Sequence, residues 1–288
     1  MRKNIVLWSC IAAFACVIAS CGDDKDEKKE KHPDNWVDPT EVFTGKRIAK
    51  MLEGEGTDMY STAEYDANGF LTKVSSDGIQ YAFTYLPLTR IGMQVGEVTI
   101  VGTATDPDLK DGEVSLSLVI GANGFCKQMT TPNAVVSYAY NADGMLVENK
   151  SVGHGVNFSG TETVTYQYEN GDLVKTVITH QEGAVTNEAV LTYFYTNSEH
   201  PTSIDNKGAL MPYGILLAME SRMIGLCYYA GLLGKSMKHL PVSASLALPG
   251  APEPIRIPIN YVLDKDGYPT KVKTDNETFD YSLGFTWK

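Results

Sequence analysis

Aromatic rings recur at alternate positions along this chain, at Tyr81, Phe83 and Tyr85, at Tyr138 and Tyr140, at Tyr166 and Tyr168, and at Tyr193 and Tyr195. Rings spaced by two lie on one face of a strand. A face of that kind stacks on sugars or flat apolar ligands, and its hydroxyls need polar partners or water. It is equally what the core of a β-protein needs. Groups for bond-breaking chemistry are sparse. The histidines, His32, His154, His180, His200 and His239, form no HxH, HExxH or HxxxH pattern. His154 lies between glycines in a loop-like stretch and His180 at the end of an expected strand. There is no GxSxG elbow, P-loop or dinucleotide fingerprint. Paired carboxylates for glycoside hydrolysis are set by spatial separation, which a sequence does not display. Asp106, Asp108, Asp264 and Asp266 read as turn acids, since no complete EF-hand loop surrounds them. The residues thus call for no metal or cofactor.

The N-terminus carries a different chemistry. Arg2 and Lys3 precede an apolar run, Ile5 to Ala19, that ends Ile18-Ala19-Ser20-Cys21. A charged start, a short apolar stretch and small residues at the end make a secretory signal rather than a membrane span. Ile18-Ala19-Ser20-Cys21 resembles the lipobox of bacterial lipoproteins. That resemblance implies cleavage after Ser20 and acylation of Cys21, palmitate being one such acyl chain, so residues 1–20 are expected to be removed.

Residues 21–44 read as an acidic tether, since 22–35 hold almost only charged and polar side chains and no apolar one before Trp36. Such a stretch cannot bury enough surface to offset its ordering entropy. Asp23 and Asp24 resemble the surface-export signal of Bacteroidetes lipoproteins. This implies the outer face of the outer membrane, the alternative being a plain solubilising linker on a lipoprotein that faces the periplasm. The formal net charge is -11, and losing Arg2 and Lys3 makes the chain more acidic. With no run of clustered Lys and Arg after residue 31, nucleic acid is excluded as a partner. Of five cysteines, Cys126 and Cys227 are the two beyond the signal and anchor. They read as two separate buried thiols, although an oxidising envelope permits a disulfide.

The elements that would position the rings are hairpins. Asn68-Gly69, Asp77-Gly78, Asp111-Gly112, Asn123-Gly124, Asp143-Gly144, Asn170-Gly171 and Asp266-Gly267 punctuate residues 45–288. Such dipeptides supply positive φ at both positions of a two-residue turn. The flanks repeat as well: Tyr65 to Leu71 matches Tyr140 to Leu146, and Tyr195 to Pro201 looks like a degraded copy. The aromatic positions alternate with Thr, Gln, Glu and Ser, which means a sheet half buried and half wet. About fourteen to sixteen strand-like runs exceed what one open sheet usually holds. The expectation is a single all-β domain over 45–288, a long antiparallel up-and-down meander curled into a barrel or half-barrel. Residues 209–234 interrupt the alternation. They are apolar nearly all round, apart from Glu220, Ser221 and Arg222, and read as one or two helices packed on the apolar face of the sheet.

Together, the lipobox, the acidic tether and the Tyr-x-Tyr-x-x-x-Gly hairpins resemble a family of Bacteroidetes lipoproteins whose domain is described as having a porin-like fold. No activity or site residue comes with that resemblance. Porin-like need not mean a pore: the face opposite the Tyr stripe is polar, whereas a membrane barrel shows lipid an apolar exterior. The sequence therefore points to a curled sheet standing in water on a lipid anchor. The function expected is non-enzymatic binding of a glycan, a small apolar ligand or an envelope protein. A glycan hydrolase with paired carboxylates and a structural or adhesive envelope protein are the alternatives.

Overall fold

Four hairpin turns share one construction. Asp66 accepts from the amides of Asn68 and Phe70 through its Oδ1, Asn141 from Asp143 and Met145, and Asp264 from Asp266 and Tyr268. At the fourth, 121–125, Asn123 Oδ1 accepts from Phe125 N. In each, the amide of the glycine returns to the carbonyl three residues earlier. Only the glycine is left-handed, with φ of 92° at Gly69, 85° at Gly124, 82° at Gly144 and 86° at Gly267. These are type I turns closed by a glycine bulge, not the two-residue turns the Asx-Gly pairs alone suggest. At the three turns with an upstream Asp or Asn, that side chain explains the difference, because an Asx turn captures the amide two residues on and holds the residue before glycine at negative φ. Asn170-Gly171 does have positive φ at both positions, 53° and 88°. Asp77 and Asp111-Gly112 lie outside the described residues.

The computed structural model describes residues 36–43, 45–53, 60–76, 78–87, 95–105, 114–155, 158–210, 222–275 and 280–288. Strands β1 (Ile48–Glu53), β2 (Tyr60–Tyr65), β3 (Leu71–Ser76), β4 (Ile79–Pro87), β5 (Val95–Ala104) and β6 (Val114–Ile120) come first. They are followed by β7 (Cys126–Thr130), β8 (Ala134–Tyr140), β9 (Leu146–Gly155), β10 (Phe158–Glu169), β11 (Asp172–Glu182) and β12 (Val185–Phe194). An excursion then carries the short pair β13 (Ile204–Asp205) and β14 (His239–Leu240) and a helix, α1 (Arg222–Tyr229). β15 (Ser243–Ala247), β16 (Ile255–Leu263), β17 (Pro269–Asp275) and β18 (Asp280–Trp287) complete the chain.

All strands but β13 and β14 form one closed antiparallel barrel. It is an up-and-down meander in which β12 pairs with β15 across the excursion, and β1 closes on β18 with Met51 opposite Phe285. Closure removes every exposed sheet edge. Of the two forms expected, barrel and half-barrel, the chain takes the barrel.

The pleat sorts the side chains. Val98, Ile100, Leu116, Leu118, Val136, Tyr138, Val164, Tyr166, Leu191 and Tyr193 point inward into one apolar core. The outward row that crosses the middle of six strands reads Gln128, Ser137, Lys150, Thr163, Thr179 and Glu188, each cross-strand partner of the next.

Residues 209–234 depart from expectation. Among the described residues they hold one eight-residue helix, α1, and no second one. It ends in a Schellman motif: Leu232 N bonds Cys227 O, Gly231 N bonds Tyr228 O, and Gly231 has φ 76°. The chain beyond is irregular, and Leu232 and Leu233 are fully buried. The described part of the run is apolar on all sides because it is enclosed, and enclosure does not require a helix. Residues 211–221 lie outside the described ones.

Candidate functional site

The aromatic stripe lines the interior. Tyr81, Phe83, Tyr138, Tyr166 and Tyr193 are buried, and Tyr85, Tyr140, Tyr168 and Tyr195 pack against the same core. Five of their hydroxyls turn to the protein. Tyr85 donates to Leu71 O at 2.9 Å, Tyr140 to Cys126 O at 2.8 Å and Tyr195 to Leu173 O at 2.7 Å. Trp287 Nε1 makes the same bond to Pro269 O. Tyr166 accepts from Asn149 Nδ2, and Tyr193 shares a bond with Thr176.

The acceptors have one cause. The register shifts just before each turn, at Glu64/Tyr65, Val119/Ile120, Gln167/Tyr168 and Val262/Leu263. Leu71, Cys126, Leu173 and Pro269 are the first paired residues after those shifts. A bulge interrupts the ladder, and a ring on the following strand supplies a bond there. Burial pushes the tyrosine hydroxyls up, Tyr193 to about 12 despite the opposing bond to Thr176. Burial likewise pushes the Cys126 thiol up to about 12 and Cys227 well above its ordinary value. Both cysteines are free and buried. Among the described residues, the space beside Met51, Leu71, Leu226 and Tyr229 is about 20 Å³, room for a water at most.

The turns 66–70, 121–125, 141–145, 170–171 and 264–268 all fall at one end of the barrel, because the meander returns there after every second strand. A strap, residues 232–238, runs across that end. Leu232 O accepts from Cys126 N, Lys235 N donates to Gly144 O and Lys238 N to Gly171 O. Neighbouring hairpins repeat every two strand spacings, about 9.6 Å. Three extended residues span about 9–10 Å, so the strap meets one turn every third residue. His239 ends it: its amide donates to Asp172 Oδ1 at 2.9 Å, and its Nδ1 lies 2.8 Å from Asp172 Oδ2. Asn206, fully buried, ties the strap to the adjoining loop. Its Nδ2 donates to Leu210 O and Met237 O, and its Oδ1 accepts from Leu210 N.

Residues 36–43 cross the same end. Val37 N donates to Asn123 O, and a Cβ on Gly124 would stand 1.9 Å from Val37 O. Between this crossing and the strap lies a cleft of about 600 Å³. Trp36, Val42 and Met237 give it apolar surface, while Glu41, Asp205, Lys207, Lys235, Ser236 and Lys238 give it charge and hydrogen-bonding groups. Asp205 is held below its ordinary pKa first by the Lys207 amide and then by the Lys207 ammonium, 3.1 Å away. Among the described residues, no three His, Cys, Asp or Glu side chains come together as a metal set. Sequence reading singled out none of the residues lining this cleft. Its members come from three stretches of chain, and the only signal was Trp36, the first apolar residue after the charged run 22–35.

Solved structures share this architecture. A porin-like protein from Bacteroides vulgatus ATCC 8482 superposes with a TM-score of 0.60 at 16% identity, over 85% of this chain and 99% of that one. A porin-like protein from Bacteroides uniformis ATCC 8492 gives 0.57 at 15% identity, over 84% and 96%. The chain has the porin-like fold. No protein-family profile and no curated protein matches it.

Among the described residues no helix is long and apolar enough to cross a membrane, which says nothing of strands. Cys21, Ser20 and the tether to residue 35 lie outside the described residues, as does the side chain of His154. Tyr65 is held at the turn end, with the Lys288 Nζ 4.5 Å and the Arg47 guanidinium 5.5 Å from its ring centre.

Proposed function

We propose that this chain is a non-enzymatic envelope protein: a porin-like barrel standing in water, carried on a lipid-modified Cys21 at the outer membrane and turned outward, that binds a ligand in the cleft at its turn end. The observation that carries the reading is the polarity of the wall. The mid-barrel row outside is Gln128, Ser137, Lys150, Thr163, Thr179 and Glu188, while the row inside is apolar and aromatic. A barrel in lipid has the reverse arrangement. Among the described residues, the exposed large apolar side chains Leu86, Val185, Phe194 and Val262 stand toward strand ends.

The aromatic interior gives way to the cleft as the binding surface, because its rings are packed and several of its hydroxyls are satisfied by the protein itself. The cleft is of ligand size, and mixes apolar surface with a few polar groups, as binding sites do. A hydrolase reading gains less. Its general acid needs a raised pKa, whereas the Lys207 amide and ammonium hold Asp205 down.

Expression of the wild type and Cys21→Ala, followed by fractionation and protease treatment of intact cells, tests the location. Wild type is expected in the membrane fraction and cleaved from outside, with the variant released. A variant that stays with the membrane removes the anchor, and a wild type resistant until lysis removes the outward placement. A barrel that inserts into lipid vesicles without its acyl chains removes the water-standing reading.

A further inference from the structure

The three lysines of the cleft are arranged in one way. Each lies over a turn glycine: a Cβ built on Gly144 would meet Lys235 Cε at 3.5 Å, one on Gly171 would meet Lys238 Cβ at 3.5 Å, and one on Gly267 would meet Lys207 Cε at 3.3 Å. The stems rest in the gaps that glycine leaves. The strap's three-residue step sets Lys235 and Lys238 about 9 Å apart along the chain, and in an extended three-fold chain residues i and i+3 share a side. Lys207 is paired with Asp205. Lys235 and Lys238 have no carboxylate partner among the described residues.

This matters because the chain carries 35 acidic and 24 basic residues. Elsewhere at this end Lys46 is engaged by Asp264 and Asp266, and Arg47 by the carbonyls of Gly69 and Thr40. The two uncommitted ammonium groups outnumber the one unpaired carboxylate of the cleft, Glu41, and leave a concave site net positive where an acidic surface otherwise repels anions. Ser236 lies between them in sequence with its hydroxyl beside that of the buried Tyr228, and the cleft also presents Trp36. A volume of about 600 Å³ exceeds what a single small anion needs and suits several linked rings.

We propose that this cleft binds an acidic oligosaccharide, with Lys235 and Lys238 taking carboxylates two sugars apart and a ring face resting on Trp36. The proposal rests on the reading of the barrel as a binding protein and names the ligand class of that same cleft. Sugar rings offer an apolar face to an indole, and ammonium groups bind carboxylates as point charges without demanding one fixed geometry.

Titration calorimetry of the full chain in detergent tests this, with oligogalacturonate as the probe and its methyl ester as the uncharged counterpart. Oligogalacturonate is expected to bind saturably, more weakly as salt is raised, and the ester at least about tenfold more weakly. Lys235→Ala and Lys238→Ala should each weaken binding about tenfold with melting unchanged, since both side chains are exposed. Lys265→Ala, outside the cleft, should have no effect. Equal binding of the ester would overturn the acidic class while leaving a glycan-binding cleft. Polyphosphate binding as tightly as oligogalacturonate would reduce the site to charge alone and overturn the sugar. Binding untouched by either lysine variant would place the ligand elsewhere. No binding of either probe would overturn this proposal, and the wider reading with it if neutral glycans also fail.

Discussion

The hydroxyl of Tyr140 donates to the carbonyl of Cys126 at 2.8 Å, joining β8 to the first residue of β7. Tyr85 with Leu71 and Tyr195 with Leu173 repeat the relationship in other hairpins. Tyr140→Phe and Tyr195→Phe should each cost about 1–2 kcal/mol, since each leaves an enclosed carbonyl without its donor. The two sites are in separate hairpins, so the double variant should be additive to within about 0.5 kcal/mol. Urea melts measure this. Variants as stable as wild type would mean the phenols only fill space.

The same rings set an alkaline limit. Tyr193 is raised to about 12 from 10.0 and burial raises Tyr85, Tyr140, Tyr195 and Tyr261 as well. A raised folded pKa means the folded chain holds more protons than the unfolded one between those values. The stability these groups contribute is whole below pH 10 and is lost as pH rises through the folded pKa. Phenolate absorbance should therefore rise late and steeply, together with loss of near-ultraviolet circular dichroism. Smooth ionisation of every tyrosine near pH 10 with the fold intact would overturn this.

Much of the barrel was legible because strand parity is local. Val164, Tyr166 and Tyr168 against Thr163, Thr165 and Gln167 read correctly as inside and outside. The turns were legible in place but not in type, because Asp66, Asn141 and Asp264, upstream of the Asx-Gly pairs, decide the conformation. The strap was hidden. Leu232, Lys235 and Lys238 dock through backbone groups, which leave no side-chain period. The cleft was hidden for a related reason, since Lys207 and Lys235 are far apart in sequence and meet only when the excursion folds back on the turns. In 209–234 the apolarity of the described residues, 209–210 and 225–234, reports enclosure, and it reads as helix because the usual enclosed segment outside a sheet is helical.

Close approach of backbone to glycine fixes the N-terminal crossing. A Cβ on Gly124 would stand 1.9 Å from Val37 O, and one on Gly231 2.1 Å from Pro39 O. Both glycines are also left-handed, as is Gly183, around which nothing lies within 4 Å. Gly183→Ala should cost about 1 kcal/mol through conformation alone. Gly124→Ala and Gly231→Ala should cost more than about 2 kcal/mol and release residues 36–43 to protease. Equal costs at all three positions would show that the crossing is not held by contact with the turns.

Asn206 ties the cleft to the fold. Its side chain bonds Leu210 N, Leu210 O and Met237 O at 2.9, 2.7 and 2.9 Å, and its own amide bonds Lys238 O. It is fully buried, so Asn206→Ala strands three backbone groups away from water at a cost of roughly 2–4 kcal/mol. Asn206→Asp keeps the acceptor for Leu210 N but sets a carboxylate against the carbonyls of Leu210 and Met237, and should be worse than alanine. The loss should be local before it is global. Hydrogen exchange should rise first across 204–210 and 232–240, while β9–β11 stay protected, because the strap meets the barrel by single bonds at each turn and the strands by continuous ladders. Uniform exchange across barrel and strap in Asn206→Ala would mean that the strap is part of the barrel's own cooperative unit rather than a separate closure laid over its end.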